Sequence, residues 1–209
     1  MPYSVFDWCV TGNLVDCANL INNNFKDYFK IIMVKKSNGD FDLKKVKTLN
    51  NLHGGYTNNV YHVHMYYPSI IELHYDLTIK DDKNKMFRRI NRLMELINLK
   101  KPILFVRVVI QSYKGHPGIS LDFFNITYDN CLKNCFEFVK LIKYDNYKIL
   151  LIHYNYVKSQ NKDIINKNNS KYVDSVEIIS NHGPKNYSDD ILINKYIKPI
   201  LENYNFENN

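Results

Sequence analysis

The sequence predicts an α/β fold: one layered domain spanning residues 1–209, with a mostly parallel central sheet flanked by helices. Three observations carry this. Residues 81–99 repeat apolar positions Met86, Ile90, Leu93, Met94 and Ile97 at helical spacing, and the continuous apolar run 103–110 follows. A second helical pattern at 131–142 leads into a strand-like stretch at 147–156. A third strand at 173–180 then precedes a C-terminal helical segment. Helices and strands in alternation favour a layered sheet over a bundle or a sandwich.

The elements follow in chain order. Ser4-Val5-Phe6 reads as the end of a short strand. Thr11 or Asn13 is placed to cap a helix through Leu14, Val15, Ala18, Leu20 and Ile21 toward Phe25, with Phe25, Tyr28, Phe29 and Ile32 extending the apolar pattern. Ser37-Asn38-Gly39 is a turn signal, and 41–52 reads as a strand plus loop. Residues 59–65 alternate Val60, His62 and His64 against Tyr61, Val63 and Met65, which predicts a strand. Another segment covers 70–77.

Asp81 and Asp82 suit the positive end of the helix over 81–99, and Lys100-Lys101-Pro102 stops it. The run 103–110 is expected as a central strand buried on both faces. In the helix over 131–142, Leu132, Cys135, Phe136, Val139 and Ile142 are expected inward. Residues 157–172 are polar and predict a mobile loop. Ser188 is expected to cap a last helix over 189–204, which Pro199 kinks or ends.

Composition narrows the function. A length of 209 residues suits one domain with a full core. The formal charge of +7 comes from 28 basic and 21 acidic residues. The lysines are scattered, with no RNA-binding aromatic motif, zinc finger or basic arm, which argues against nucleic acid as a partner. No secretory signal and no membrane-spanning run is visible, so a cytoplasmic location and reduced thiols are expected for Cys9, Cys17, Cys131 and Cys135.

Two segments carry the functional signal. The first is Phe6-Asp7-Trp8-Cys9. The second is His74 with Asp76, followed by Arg88-Arg89 and Arg92 and by Ile103 to Arg107. A thiol, an imidazole and a carboxylate are the parts of a cysteine-nucleophile site. This order resembles a domain family of unknown function described as papain-like cysteine peptidases, found in large DNA viruses and bacteria. Members carry a segment like F-D-W, an H-D or H-E element, a helix with R-R-x-x-R, and a strand like I-L-F-V-R. Their upstream Cys-containing segment has no counterpart before Phe6 in this sequence. The resemblance covers residues 4 to 110 well, and it implies thiol-dependent hydrolysis of a peptide or related acyl bond.

On that reading Cys9 is the nucleophile, His74 the general base and Asp76 its orienting carboxylate. Cys9 precedes a helix N-terminus, which lowers a thiol pKa. The blander alternative makes Cys9 a small core residue behind Trp8, with Asp7 paired to an arginine so that Phe6 and Trp8 are locked. Cys17, Cys131 and Cys135 are expected as core.

Arg88, Arg89, Arg92 and Arg107 form a second candidate site, for a small anionic ligand such as a nucleotide or nucleotide sugar. Arg107 is expected at the carboxyl end of a central strand, where open α/β sheets bind ligands. A catalytically inactive accessory protein is a third reading. His62 and His64 share one strand face and hold a metal only with a third ligand such as His74 or Asp76. His53, His116, His153 and His182 read as loop or strand-end residues without a partner. No metal and no cofactor is expected.

Overall fold

The computed structural model describes residues 9–11, 14–37, 40–41, 60–67, 70–72, 77–110, 127–183 and 190–202, with the backbone alone at 9–11, 32–37, 40–41, 60–64 and 71–72. The chain divides into two units, one of residues 1–101, 117–124 and 137–145, the other of residues 102–116, 125–136 and 146–209.

The first unit contains strands β1 (Cys9–Thr11), β2 (Ile31–Ser37), β3 (Asp40–Phe41), β4 (Val60–His64) and β5 (Ile70–Glu72). They form an antiparallel sheet in the order β1-β5-β4-β2-β3. The alternation at 59–65 is strand β4, as expected, and Ser37 pairs with Asp40 across the turn signal.

Helix α1 covers Val15–Asn22, with Cys17, Ala18, Leu20 and Ile21 buried. Leu14, not Thr11 or Asn13, holds its N-cap position, and no side chain caps it, because Thr11 is already in β1. The helix does not continue toward Ile32. Asn24, Phe25 and Asp27 take left-handed φ values of 52°, 56° and 64°. The Phe25 N–H donates to the Leu20 carbonyl at 2.7 Å, closing the helix end. Asparagine tolerates that conformation, and the run Asn22-Asn23-Asn24 supplies it. Phe25 and Tyr28 are still buried and meet edge to face at 5.8 Å.

Helix α2 covers Lys80–Asn98, with Asp81 and Asp82 in its first turn. It ends as the sequence indicates, at Lys100 in the left-handed region (φ 52°).

The second unit holds strands β6 (Ile103–Ile110), β7 (Tyr147–Tyr156), β8 (Ile164–Asn169) and β9 (Val173–Ser180). Their order is β6-β7-β9-β8. The first three run parallel and β8 is antiparallel, which is the mostly parallel α/β sheet expected. One face packs Leu150, Ile152, Tyr154, Val176 and Ile178 against Leu192 and Tyr196. On the other face Tyr128, in the first turn of helix α3 (Tyr128–Leu141), hydrogen-bonds Ser175 at 2.8 Å and meets the His153 ring at 5.6 Å. His153 is fully buried in mid-strand with this aromatic contact, not at a strand end.

Several expectations change. The strand buried on both faces is β7, whose residues 147–154 are all buried. Strand β6 lies at the sheet edge, and Val106 is 45% exposed. Arg107 is therefore in the middle of an edge strand and not at the end of a central one. The polar stretch expected as a loop contains β8, whose six residues are all exposed. An edge strand with both faces in water has no apolar alternation, so its ladder to β9 leaves no sequence trace.

In α3 the buried positions of its apolar stripe include Cys131, Cys135 and Phe138, while Phe136 is 40% exposed. The inner stripe is set by spacings of four and three from Cys131, which turns Phe136 outward. The last helix does not stop at Pro199. A π-helical segment, Leu192–Ile197, leads into α4 (Lys198–Glu202). Widening the helix around Lys195 relieves the clash between the Pro199 ring and the carbonyl four residues earlier. Ser188 lies outside the described residues.

The π-helical segment is pinned by a hydrogen-bond chain. The Tyr196 hydroxyl donates to Asp163 Oδ2 at 3.0 Å, which leaves it to accept from the buried Ser180 hydroxyl at 2.9 Å. Lys195 Nζ pairs with the same carboxylate at 2.8 Å. Tyr196→Phe breaks both hydroxyl bonds, so its unfolding free energy in urea is expected to fall by about 1–3 kcal/mol. The Lys195 hydrogen bond, with those of Ser180 and Tyr196, holds the Asp163 carboxyl below its ordinary 3.8. A lowered folded pKa stabilises above the unfolded value and is lost as pH falls through about 4 and below. Acid titration of stability should therefore show a shallower loss in Asp163→Asn.

Candidate active site

The site is built from sheet register. Cys9 on β1 pairs with Glu72 on β5, Glu72 pairs with His62 on β4, and His62 pairs with Met33 on β2. These four residues occupy one row across the sheet. The next row is Val10, Ile71, Val63 and Ile32. Adjacent rows lie on opposite faces of a pleated sheet. One face is thus wholly apolar along this row, and the other gathers a thiol, a carboxylate and an imidazole. His64, two residues after His62 and paired with Ile31, belongs to the same face as His62.

Cross-strand partners sit about 4.5–5.5 Å apart at Cα. Glu72 ends β5, and two further residues reach at most about 7 Å. His74 follows Glu72 by two residues in the sequence. His74 and Asp76, like Phe6, Asp7 and Trp8, lie outside the described residues.

The other thiols are core. Cys17, Cys131 and Cys135 are reduced and buried. Burial pushes the Cys131 thiol up, against the lowering effect of the Arg107 guanidinium, which is hydrogen-bonded to it. Burial pushes Cys135 up to about 12. Neither forms an appreciable thiolate near neutrality. In the folded protein both should resist alkylation at pH 8, and both should react on addition of urea, as read by peptide mass spectrometry.

The arginines divide. Arg88, Arg89 and Arg92 belong to the first unit and Arg107 to the second. On α2 Arg89 falls on the inner stripe with Met86, Ile90 and Leu93, whereas Arg88 and Arg92 are exposed. The i, i+3, i+4, i+7 spacing from Met86 selects Arg89 and excludes Arg88 and Arg92. Arg107 is engaged with Cys131. Asp82, a possible partner for the helix arginines, pairs with Lys85 at 2.8 Å. A cleft of about 420 Å³ in the first unit is lined by Asn19, Asn23, Lys26, Asp27, Tyr66 and Tyr67, none of them a site residue indicated by the sequence.

The model of a domain family described as "putative papain-like cysteine peptidase" matches residues 3–121. The chain belongs to this family. The matched span contains Cys9, His62, Glu72, His74 and Asp76 as well as the three helix arginines. Compared with curated proteins and with solved structures, the chain has no significant match to either. Among the described residues, no helix of this papain-like family member is long and apolar enough to cross a membrane.

Sequence reasoning missed Glu72. It lies in no motif, and its relation to Cys9 exists only through the pairing of strands far apart in the chain. The available signal was the segment Ile70-Ile71-Glu72, a carboxylate following two β-branched residues just before the H-x-D element.

Proposed function

We propose that this chain is a thiol-dependent hydrolase of peptide or related acyl bonds, with Cys9 as nucleophile, His74 as general base and Asp76 as the carboxylate that orients the imidazole. Membership in the papain-like family supports the reaction class. The observation that carries the assignment is the pairing of Cys9 with Glu72, which leaves His74 two residues from the partner strand's end.

In this reading His74 takes the Cys9 proton and the thiolate attacks the acyl carbon. The C–N or C–O bond breaks as the leaving group receives that proton. Water, deprotonated by His74, then hydrolyses the thioester and releases the acid. Asp76 fixes the tautomer and stabilises the imidazolium.

Labelling tests the assignment. One equivalent of iodoacetamide at pH 6.5 is expected to modify Cys9 alone, faster than free cysteine, and Cys9→Ser should take up no label. Modification of Cys9 no faster than free cysteine, or slower, would remove the nucleophile from the proposal.

A further inference from the structure

The sheet of the second unit has an open edge at β8. That strand is last in the order β6-β7-β9-β8, and among the described residues no strand pairs with its outer side. All six of its residues are exposed, Ile164 at 42% and Ile165 at 52% among them. The Ser170 N–H donates to the Val173 carbonyl at 2.9 Å, so these two residues form a hydrogen-bonded pair at the end of the ladder. Bonded and non-bonded pairs alternate along an antiparallel ladder. Ile164, Asn166 and Asn168 therefore turn their backbone groups toward β9, and Ile165, Lys167 and Asn169 turn theirs outward. A row of open N–H and C=O groups beside exposed isoleucines is a template for another strand.

We infer that β8 is a self-association surface that pairs antiparallel with β8 of a second copy of this chain, about a two-fold axis at Ile165. The side chains favour this occupant and this register. With the axis at Ile165, that residue stands opposite its own counterpart, and Lys167 stands opposite the second copy's Asp163 on both sides of the axis. Asp163, just before β8, bonds Tyr196, which packs in one cluster with Ile178, the partner of Ile165. Asp163, Ile165 and Lys167 thus share a face, as a period of two requires. The Asp163 carboxylate holds Lys195 and Tyr196 through Oδ2, and its second oxygen also accepts hydrogen bonds. Apolar pairs and opposite charges across strands stabilise a sheet, and like charges destabilise it. Moving the axis to Asn166 sets Ile165 against Lys167, and moving it to Lys167 sets two ammoniums against each other. The contact is isologous and closes at two copies. A single strand pair is a small interface, so a weak dimer is expected. Strand β8 and Cys9 belong to different units, so the inference does not rest on the hydrolase reading.

Sedimentation equilibrium of the full chain from about 1 μM to about 1 mM, with amide hydrogen exchange at both ends of the range, tests this. A reversible monomer–dimer equilibrium is expected. In dilute solution the N–H groups of Ile165 and Lys167 should exchange fast and those of Ile164 and Asn166 slowly. In concentrated solution exchange at Ile165 and Lys167 should slow by about tenfold or more, a wild-type readout that needs no variant to fold. Ile165→Pro deletes an outward N–H and leaves the ladder to β9, so it should stay monomeric. Lys167→Glu sets carboxylates against each other at two places and should weaken association by about tenfold or more. A third sample contains an unrelated extended peptide of alternating threonine and valine. A chain monomeric throughout, a dimer that leaves exchange at Ile165 and Lys167 fast or survives Ile165→Pro, or protection that appears only with the foreign peptide would overturn the inference.

Discussion

Cys9→Ala is expected to lower thiol-dependent hydrolysis by about a thousandfold or more, with little change in stability. The size follows from the role: a nucleophile that forms the covalent intermediate has no substitute, and loss of one member of such a unit costs nearly as much as loss of all. The buried thiols do not compensate, because Cys131 and Cys135 are held protonated inside the second unit. The measurement is turnover of an activated ester, with alkylation of wild type as the titrant for active sites. His74→Ala should fall by a similar factor. If Cys9 is core packing behind Trp8, the pattern inverts: Cys9→Ala then lowers the unfolding midpoint and leaves turnover at the wild-type level.

The largest effect on stability is expected at Lys148 and Asp174. Lys148 Nζ and Asp174 Oδ2 are 3.1 Å apart, with side chains only 6% and 5% exposed. The two residues stand on neighbouring strands β7 and β9 and on the same face, because Asp174 pairs with Leu150, two residues beyond Lys148. Asp174→Ala leaves an ammonium buried without its counter-charge, and a loss of about 3–5 kcal/mol is expected. That is a large part of a typical domain's stability. The pair itself is a different matter. Desolvation of two charges offsets most of their attraction, so the double variant Lys148→Met with Asp174→Leu should recover most of the loss. Urea unfolding of the three proteins checks this. A double variant as destabilised as Asp174→Ala would mean that the ion pair is not the source.

What the sequence showed depended on periodicity and its amplitude. The helix expected over 81–99 is Lys80–Asn98, and the strands expected at 103–110, 147–156 and 173–180 stand at those bounds. Each carries a strong apolar pattern because one or both of its faces are buried. Strand β8 was illegible for the opposite reason: Asn and Lys on a doubly exposed edge look like a loop. The left-handed turn after α1 rests on Asn24, Phe25 and Asp27, and Phe25 gives no sign of it in its residue type. At the site, Cys9 and the His62/His64 alternation were visible as residue types. Glu72 was not, since strand register is decided by the whole sheet and by no local motif.

The central claim is that Cys9 is an activated nucleophile served by His74. Its most direct test is the alkylation rate of Cys9 against pH, followed by peptide mass spectrometry in wild type and in His74→Ala. The account predicts an apparent pKa well below the ~8.5 of a free thiol, returning toward that value in the variant. A Cys9 that titrates like a free thiol in both proteins, or that does not react until the chain unfolds, would contradict it.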